Sequence, residues 1–91
     1  MRIIKEKEFE KIFKALANRR RLEIITFIKR KEEAPVGEIA HAIKLSFRST
    51  SRHLAILFGA DILEREQRTV QVFYRITKEF SKIKRALANE W

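Results

Sequence analysis

The stretch of sequence that decides the fold is Gly37-Glu-Ile-Ala-His-Ala-Ile-Lys-Leu-Ser-Phe-Arg-Ser-Thr-Ser-Arg-His-Leu-Ala-Ile-Leu57. Apolar residues recur at helical spacing on both sides of the short segment Lys44-Leu45-Ser46, which is typical of two helices joined by a tight turn. From Ile39 to Ala60 there is no acidic residue, although acids are common on either side. Because a segment that faces phosphates must exclude negative charge, this pattern predicts a helix-turn-helix that binds double-stranded DNA.

The flanking sequence predicts the remaining elements. Apolar residues at helical spacing predict five helices: about residues 5–17, a second one capped by Asn18 and ending before Pro35, about 36–43, 47–58 with Ser46 as its N-cap, and a last one from about residue 78. Alternation over residues 70–76 predicts a strand, residues 62–65 predict its partner, and Glu66-Gln67-Arg68 is the expected hairpin tip. The order α-α-α-α-β-β-α is mainly α with a small β hairpin (α+β), a winged helix-turn-helix.

Composition limits the class of protein. The 91 residues suit a single domain, residues 1–91, and the net charge of +9 favours a polyanionic partner. The absence of cysteine excludes disulfides and thiolate metal sites and fits the reducing cytoplasm. No apolar run approaches the about 18 residues that span a bilayer, so no membrane partner is expected.

The fourth helix is the predicted recognition helix. At about 100° per residue, Thr50, Leu54 and Leu57 lie on one side and should pack inward, whereas Arg48 and Arg52 lie on the opposite side. Arginine fits guanine O6 and N7, and serine bonds base edges or phosphates. The predicted DNA contacts of this helix and its cap are Ser46, Phe47, Arg48, Ser49, Ser51 and Arg52. The alternatives are that the arginines form a solvated face and that Phe47 packs against the preceding helix instead of a thymine methyl.

Two further groups of arginines are candidates for contacts with nucleic acid. On the hairpin, Arg65 and Arg68 are predicted to contact phosphates or the minor groove, with Arg68 favoured because it lies at the expected tip.

The second group is Arg19-Arg20-Arg21, at the start of the second helix. These side chains could contact phosphates, but the favoured interpretation is structural, with Arg19 paired to Glu23 or Arg21 paired to Glu38.

Four segments resemble the ArsR-type (ArsR/SmtB) winged-helix repressors of bacteria and archaea. They are Phe13-Lys-Ala-Leu-Ala-Asn-Arg-Arg-Arg-Leu-Glu-Ile-Ile25, Gly37-Glu-Ile-Ala-His-Ala-Ile-Lys-Leu-Ser46, Ser51-Arg-His-Leu54 and Val72-Phe-Tyr-Arg-Ile76. The resemblance covers most of residues 13–76 and implies a homodimer that represses transcription by occupying an operator. The chain departs from the metal-sensing members of that family, because Pro35 and Gly37 stand where they have cysteines and no histidine follows His53. No metal and no cofactor is therefore expected at the known family sites.

The terminal helices carry the residues predicted to form the dimer interface. These are Ile4, Phe9, Phe80, Ile83, Leu87 and Trp91. Such a stripe is usually intramolecular core, but four helices and a hairpin already supply a core here, and the resemblance places the dimer at the first and last helices.

An enzyme is not expected. The chain lacks a cysteine nucleophile and a phosphate-binding glycine loop, and Ser51 and His53, two residues apart on one helix, point about 200° away from each other. The serious alternative is a winged helix that binds a protein or RNA partner instead of operator DNA. Nothing in the sequence identifies an inducer.

Overall fold

The computed structural model describes the backbone of residues 6–90 and the side chains of residues 6–85. Its elements are α1 (Glu6–Leu16), α2 (Arg19–Lys31), β1 (Ala34–Pro35), α3 (Val36–Ile43), α4 (Phe47–Gly59), β2 (Leu63–Arg68), β3 (Gln71–Ile76) and α5 (Lys78–Glu90). The three strands form an antiparallel sheet in the order β1-β3-β2. The predicted α+β class is confirmed, and the five helices begin within about a residue of their predicted positions.

Local capping explains the helix starts. The Asn18 side chain accepts a hydrogen bond from the Arg21 backbone N–H at 3.1 Å, and Ser46 Oγ accepts from the Ser49 N–H at 3.1 Å. These bonds satisfy donors that the first turn of a helix leaves without a partner. Both N-caps that the sequence predicts are therefore confirmed.

The hairpin differs from the prediction. Arg68 pairs with Gln71 across the strands, so the tip is Thr69-Val70 and not Glu66-Gln67-Arg68. Glu66-Gln67-Arg68, predicted as the turn, are strand residues of β2, and Glu66 and Gln67 are exposed on the β2–β3 hairpin, the wing (residues 63–76). Thr69 supplies the positive φ of 50° that the two-residue tip needs.

A second difference is β1, which no pattern in the sequence predicts. Ala34 pairs with Tyr74 and Pro35 with Phe73, so the segment that breaks the second helix also joins the sheet. A two-residue strand has no periodicity to detect. Its proline is tolerated because β1 is an edge strand.

The core joins the helix-turn-helix to the rest of the chain. Its largest fully buried side chains are Ile24, Ile28, Ile39, Leu54, Leu57, Ile62, Leu63 and Thr50. Thr77 connects the sheet to α5, because its Oγ1 donates to the Asp61 carbonyl at 2.7 Å and accepts from the Phe80 N–H at 3.1 Å. Among the helices described, none is both long enough and apolar enough to cross a membrane.

Candidate nucleic-acid interface

The turn between α3 and α4 sets the direction of the recognition helix. Lys44 ends α3 in the left-handed conformation, with φ 56° and ψ 49°, and Ser46 then caps α4. Thr50, Leu54 and Leu57 are each 0% exposed, which confirms that this side of α4 packs inward. The opposite side is therefore held away from the core.

The outward side of α4 carries the side chains predicted to contact DNA. Arg48 and Arg52 are exposed, and neither guanidinium forms an ion pair or a hydrogen bond with any residue described. Ser46 is exposed, whereas Ser49 and Ser51 are half-buried at the margins of this face. Such a face at the N-terminal half of a helix suits the major groove, where arginine can bind guanine.

Phe47 lies in the first turn of α4, and its side chain is 62% exposed. Of the two alternatives left open by the sequence, this exposure favours a ring that is available to a base methyl over one packed against α3. Phe47 therefore remains among the predicted DNA contacts.

Arg21 anchors the recognition helix to the preceding helices. Its Nη1 lies 3.1 Å from His53 Nδ1 on α4, and its Nε donates to the Ala15 carbonyl in the last turn of α1. A cation at the end of a helix is favoured by the carbonyls that point there. Arg21 therefore joins three helices and does not contact Glu38.

The predicted arginine pairs at the start of α2 were wrong in their partners. Glu23 was expected to pair with Arg19, but it pairs with Arg20 at 3.1 Å. Glu38 was expected to pair with Arg21, but it pairs with Lys31 at 3.4 Å. Sequence spacing admits several i, i+3 and i, i+4 pairs on one helix. Only the packing of α1 and α4 against α2 decides which arginine turns inward.

The contact between Arg21 and His53 predicts a dependence of stability on pH. Burial, and then the charges of Arg21 and Arg20, lower the pKa of the His53 imidazole below its ordinary value of 6.5. The unfolded chain therefore binds the proton first, so the free energy of unfolding should fall as the pH drops from about 6.5 through the lower pKa of the folded state. Thermal unfolding monitored by circular dichroism between pH 7.5 and pH 5 measures this fall.

His53→Asn tests the assignment, because asparagine retains an acceptor for Arg21 and does not titrate. Between pH 7.5 and pH 5, we expect the free energy of unfolding to decrease less in this variant than in the unchanged chain. The control is His41→Asn, which removes an exposed histidine from α3 and should leave that decrease unchanged. Equal pH profiles for the two variants would contradict the role of His53.

The wing is held by a network of ion pairs. Arg68 donates two hydrogen bonds to the Glu33 carboxylate and one to Glu66 at 2.9 Å, and its guanidinium lies 4.4 Å from the centre of the Phe73 ring. Arg75 donates to Glu66 at 3.1 Å and to Glu64. The hydrogen bonds that Arg68 donates hold the pKa values of the Glu33 and Glu66 carboxyls below the usual range. The guanidinium of Arg68 is therefore engaged within the chain.

Arg65 is the more accessible of the two arginines predicted on the wing. It is exposed, and its guanidinium lies 4.0 Å from the centre of the Phe58 ring. A guanidinium on an aromatic face keeps its N–H groups free at the edge. Glu33 was missed by the sequence analysis, because 35 residues separate it from Arg68 and no local pattern marks the pair.

Glu33→Gln should make Arg68 more available to DNA, although Glu66 still binds it. The substitution removes one bidentate partner and one negative charge beside the wing, so we expect few-fold tighter binding to any duplex at low salt and a salt slope steeper by about 1. Fluorescence anisotropy with two unrelated duplexes at two salt concentrations measures both effects.

Glu32→Gln is the matched control, because it removes the same charge from the neighbouring exposed residue, which does not pair with Arg68. If both variants tightened binding equally, only net charge would have changed. Arg68 would then be a structural residue of the wing.

The predicted dimer residues are only partly described. Ile4 and Trp91 lie outside the described residues, and Leu87 lies in α5 but its side chain is likewise outside them. Phe80 is 6% exposed and belongs to the core of the single chain, whereas Ile83 is partly buried against that core. Phe9 is half-buried and stacks on Phe13, with the ring centres 5.9 Å apart. The dimer interface therefore stays a prediction, and Phe80 has little exposed surface to contribute to it.

No group of three or more histidine, cysteine, aspartate or glutamate side chains in the described part of the chain is arranged to hold a metal ion. The candidate nucleic-acid interface is the outward side of α4, with the wing beside it.

Comparison with known proteins agrees with this geometry. The family model described as bacterial regulatory protein, arsR family, matches residues 18–65, which is just over half of the chain and includes the whole helix-turn-helix. The chain belongs to the ArsR family of bacterial regulatory proteins. The resemblance inferred from residues 13–76 is thereby confirmed, and this family is a class of transcriptional regulator and not a class of enzyme.

Individual relatives of this ArsR-family chain include the arsenic resistance transcriptional regulator ArsR1 of Pseudomonas putida, which is 40% identical over 68 residues. That match covers 75% of the chain but 53% of the relative, so the chain spans about half the length of this curated protein.

Solved structures extend the comparison to the fold. HlyU from Vibrio cholerae N16961 is 26% identical, with 97% of this chain and 98% of that chain covered and a TM-score of 0.77. The homodimeric winged helix-turn-helix DNA-binding domain Mb0332 from Mycobacterium bovis is 26% identical, with 92% and 81% covered and a TM-score of 0.79. The winged helix-turn-helix architecture is therefore shared over nearly the full chain.

Proposed function

We propose that this ArsR-family chain is a homodimeric repressor that binds a specific operator in double-stranded DNA. The observation that carries the proposal is the exposed pair Arg48 and Arg52 on α4, which form no ion pair with the described residues and lie opposite a fully buried side of the same helix. Arg48, Arg52 and the exposed edge of Ser49 read bases in the major groove, and Ser46 and Ser51 contact phosphates or base edges.

The helical repeat of DNA supports the proposal of a dimer. A two-fold axis at the terminal helices would set two copies of α4 about 34 Å apart, which is one turn of the duplex. The homodimeric Mycobacterium bovis domain supports this arrangement by its similarity to the chain. We propose that residues 1–91 act as one domain, with Phe9 and Ile83 at the edge of the interface, and that the protein acts in the cytoplasm, where its operator lies.

We propose that these 91 residues do not sense a thiolate-bound metal or metalloid, because they contain no cysteine. The arsenic resistance in the name of the Pseudomonas putida relative is therefore not carried over to this chain. We also propose that the protein has no catalytic activity, since Ser51 and His53 diverge on α4 and His53 contacts Arg21 instead.

Fluorescence anisotropy tests the proposal with two labelled duplexes, the DNA upstream of the protein's own gene and a scrambled sequence of equal length. We expect tighter binding to the upstream DNA that persists from low to near-physiological salt, and a dimer by analytical ultracentrifugation. Equal binding to both duplexes that disappears with salt would contradict sequence-specific recognition. A protein or RNA partner would then be the better explanation of the winged helix.

A further inference from the structure

We propose that the groove between α2 and α3 binds an acidic amphipathic helix of a partner protein. This α2–α3 groove is an open depression of about 620 Å³, and it lies on a different side of α2 from the buried Ile24 and Ile28. The residues that the argument uses are Arg19, Leu22, Phe27 and Arg30 on α2, with Ile43 and Lys44 at the end of α3.

The floor of the groove is apolar. Leu22 is 48% exposed, and the partly buried Phe27 and Ile43 lie beside it. A single exposed leucine is ordinary on a protein surface, but here it is continuous with two further apolar side chains. Phe27 and Ile43 also pack against the core, whereas Leu22 is the apolar residue of this face that the fold leaves exposed.

The rim of the groove is positively charged. Arg19, Arg30 and Lys44 form no ion pair with any residue whose side chain is described. Glu23 is the one carboxylate among the described lining residues, and Arg20 neutralises it at 3.1 Å. Arg30 also lies over the Phe27 ring, 5.4 Å from its centre, so cation and apolar surface are adjacent.

The combination of an apolar floor and a positively charged rim favours an acidic amphipathic helix over a nucleic acid as the bound partner. A phosphate backbone would satisfy the cations but would leave Leu22 and Phe27 facing polar atoms. An amphipathic helix with glutamates beside a leucine or phenylalanine satisfies the rim and covers the floor, as in other helix-in-groove complexes. The 13 residues of α2 span about 20 Å at 1.5 Å per residue, which matches a partner helix of three to four turns.

An occupant would also contact the helix-turn-helix. Arg20 donates to the Ile43 carbonyl at 2.6 Å, and Ile43 is the last residue of α3 before the turn that positions α4. A partner bound in the α2–α3 groove therefore lies against the end of the first helix of the DNA-binding motif.

Three labelled 13-residue peptides test the proposal against the full chain by fluorescence anisotropy. The first carries leucine and phenylalanine on one helical face and glutamate on the other, the second replaces each glutamate with glutamine, and the third has the composition of the first with its apolar residues dispersed. We expect the first to bind at least about tenfold more tightly than the others, and Leu22→Ser or Arg30→Ala to reduce that affinity about tenfold. Arg85→Ala, which removes an exposed charge from α5, should leave it unchanged.

Equal binding of the three peptides, or an affinity unchanged by Leu22→Ser, would overturn the proposal. The same variants are titrated with the duplexes that test operator binding, so the two hypotheses fail separately. If Leu22→Ser weakened duplex binding, the α2–α3 groove would be part of the DNA surface and the partner-protein proposal would be wrong. Because Leu22 is half-exposed, thermal unfolding should show that the variant remains folded.

Discussion

Arg52→Ala is expected to reduce the affinity for the cognate duplex by about 1–3 kcal/mol, or about 5- to 150-fold, and to relax the preference for one base pair. Arg52 is exposed on α4 one turn after Arg48, and no residue described competes for its guanidinium. A bidentate contact to guanine is lost completely when the guanidinium is removed, since alanine offers no donor. Anisotropy titrations against the cognate duplex and its single-base variants measure the effect.

The control for this prediction is Arg85→Ala, which removes the same charge from an exposed position on α5. It should weaken binding to all duplexes slightly, and only at low salt, because distant charges are screened. If the two variants lost the same affinity on every sequence, Arg52 would contribute only to the general positive field. The outward side of α4 would then not read bases.

Leu54→Ala is expected to reduce the free energy of unfolding by about 2–5 kcal/mol. Leu54 is 0% exposed and lies in the middle of α4, where it packs against the core formed by the other helices and the sheet. The cavity left by the substitution removes packing contacts as well as buried apolar area. For a domain of this size, a loss of that magnitude should lower Tm by roughly 8–40 °C, measured by calorimetry or circular dichroism.

Ile56→Ala is the matched control on the same helix, because Ile56 is 46% exposed and loses little burial. We expect its effect on the free energy of unfolding to be under about 1 kcal/mol. Comparable losses for Leu54 and Ile56 would mean that α4 does not pack on the core as described. The orientation of Arg48 and Arg52 would then be wrong as well.

The two predictions are linked through one helix. Leu54 and Thr50 hold α4 against the core, and the opposite side of the helix presents Arg48 and Arg52. A substitution on the buried side should reduce the free energy of unfolding. It should reduce the apparent affinity for the duplex only to the extent that it reduces the fraction of folded protein. A substitution on the exposed side should change affinity at unchanged stability. Measuring both quantities for both variants separates folding from recognition.

The sequence predicted the candidate site in its local parts. The caps Asn18 and Ser46, the inward side of α4 and the alternating strand β3 all follow from interactions within a few residues, where the helical period of 3.6 and the strand period of 2 apply. It misplaced the hairpin tip at Glu66-Gln67-Arg68, because these strand residues are polar and polar residues favour turns as well as exposed strands. It missed β1, because two residues have no period.

By itself, the sequence determined that this chain forms a helix-turn-helix with an acid-free, arginine-bearing recognition helix followed by a β hairpin. Only the tertiary structure decided which charged groups remain available on that surface. Arg68 is engaged by Glu33, 35 residues away, and Arg21 by His53, 32 residues away, whereas Arg48 and Arg52 have no partner among the residues described. The physical reason is range, because periodicity and capping act between neighbours in the chain, but ion pairs join whichever side chains the packing of distant elements brings together.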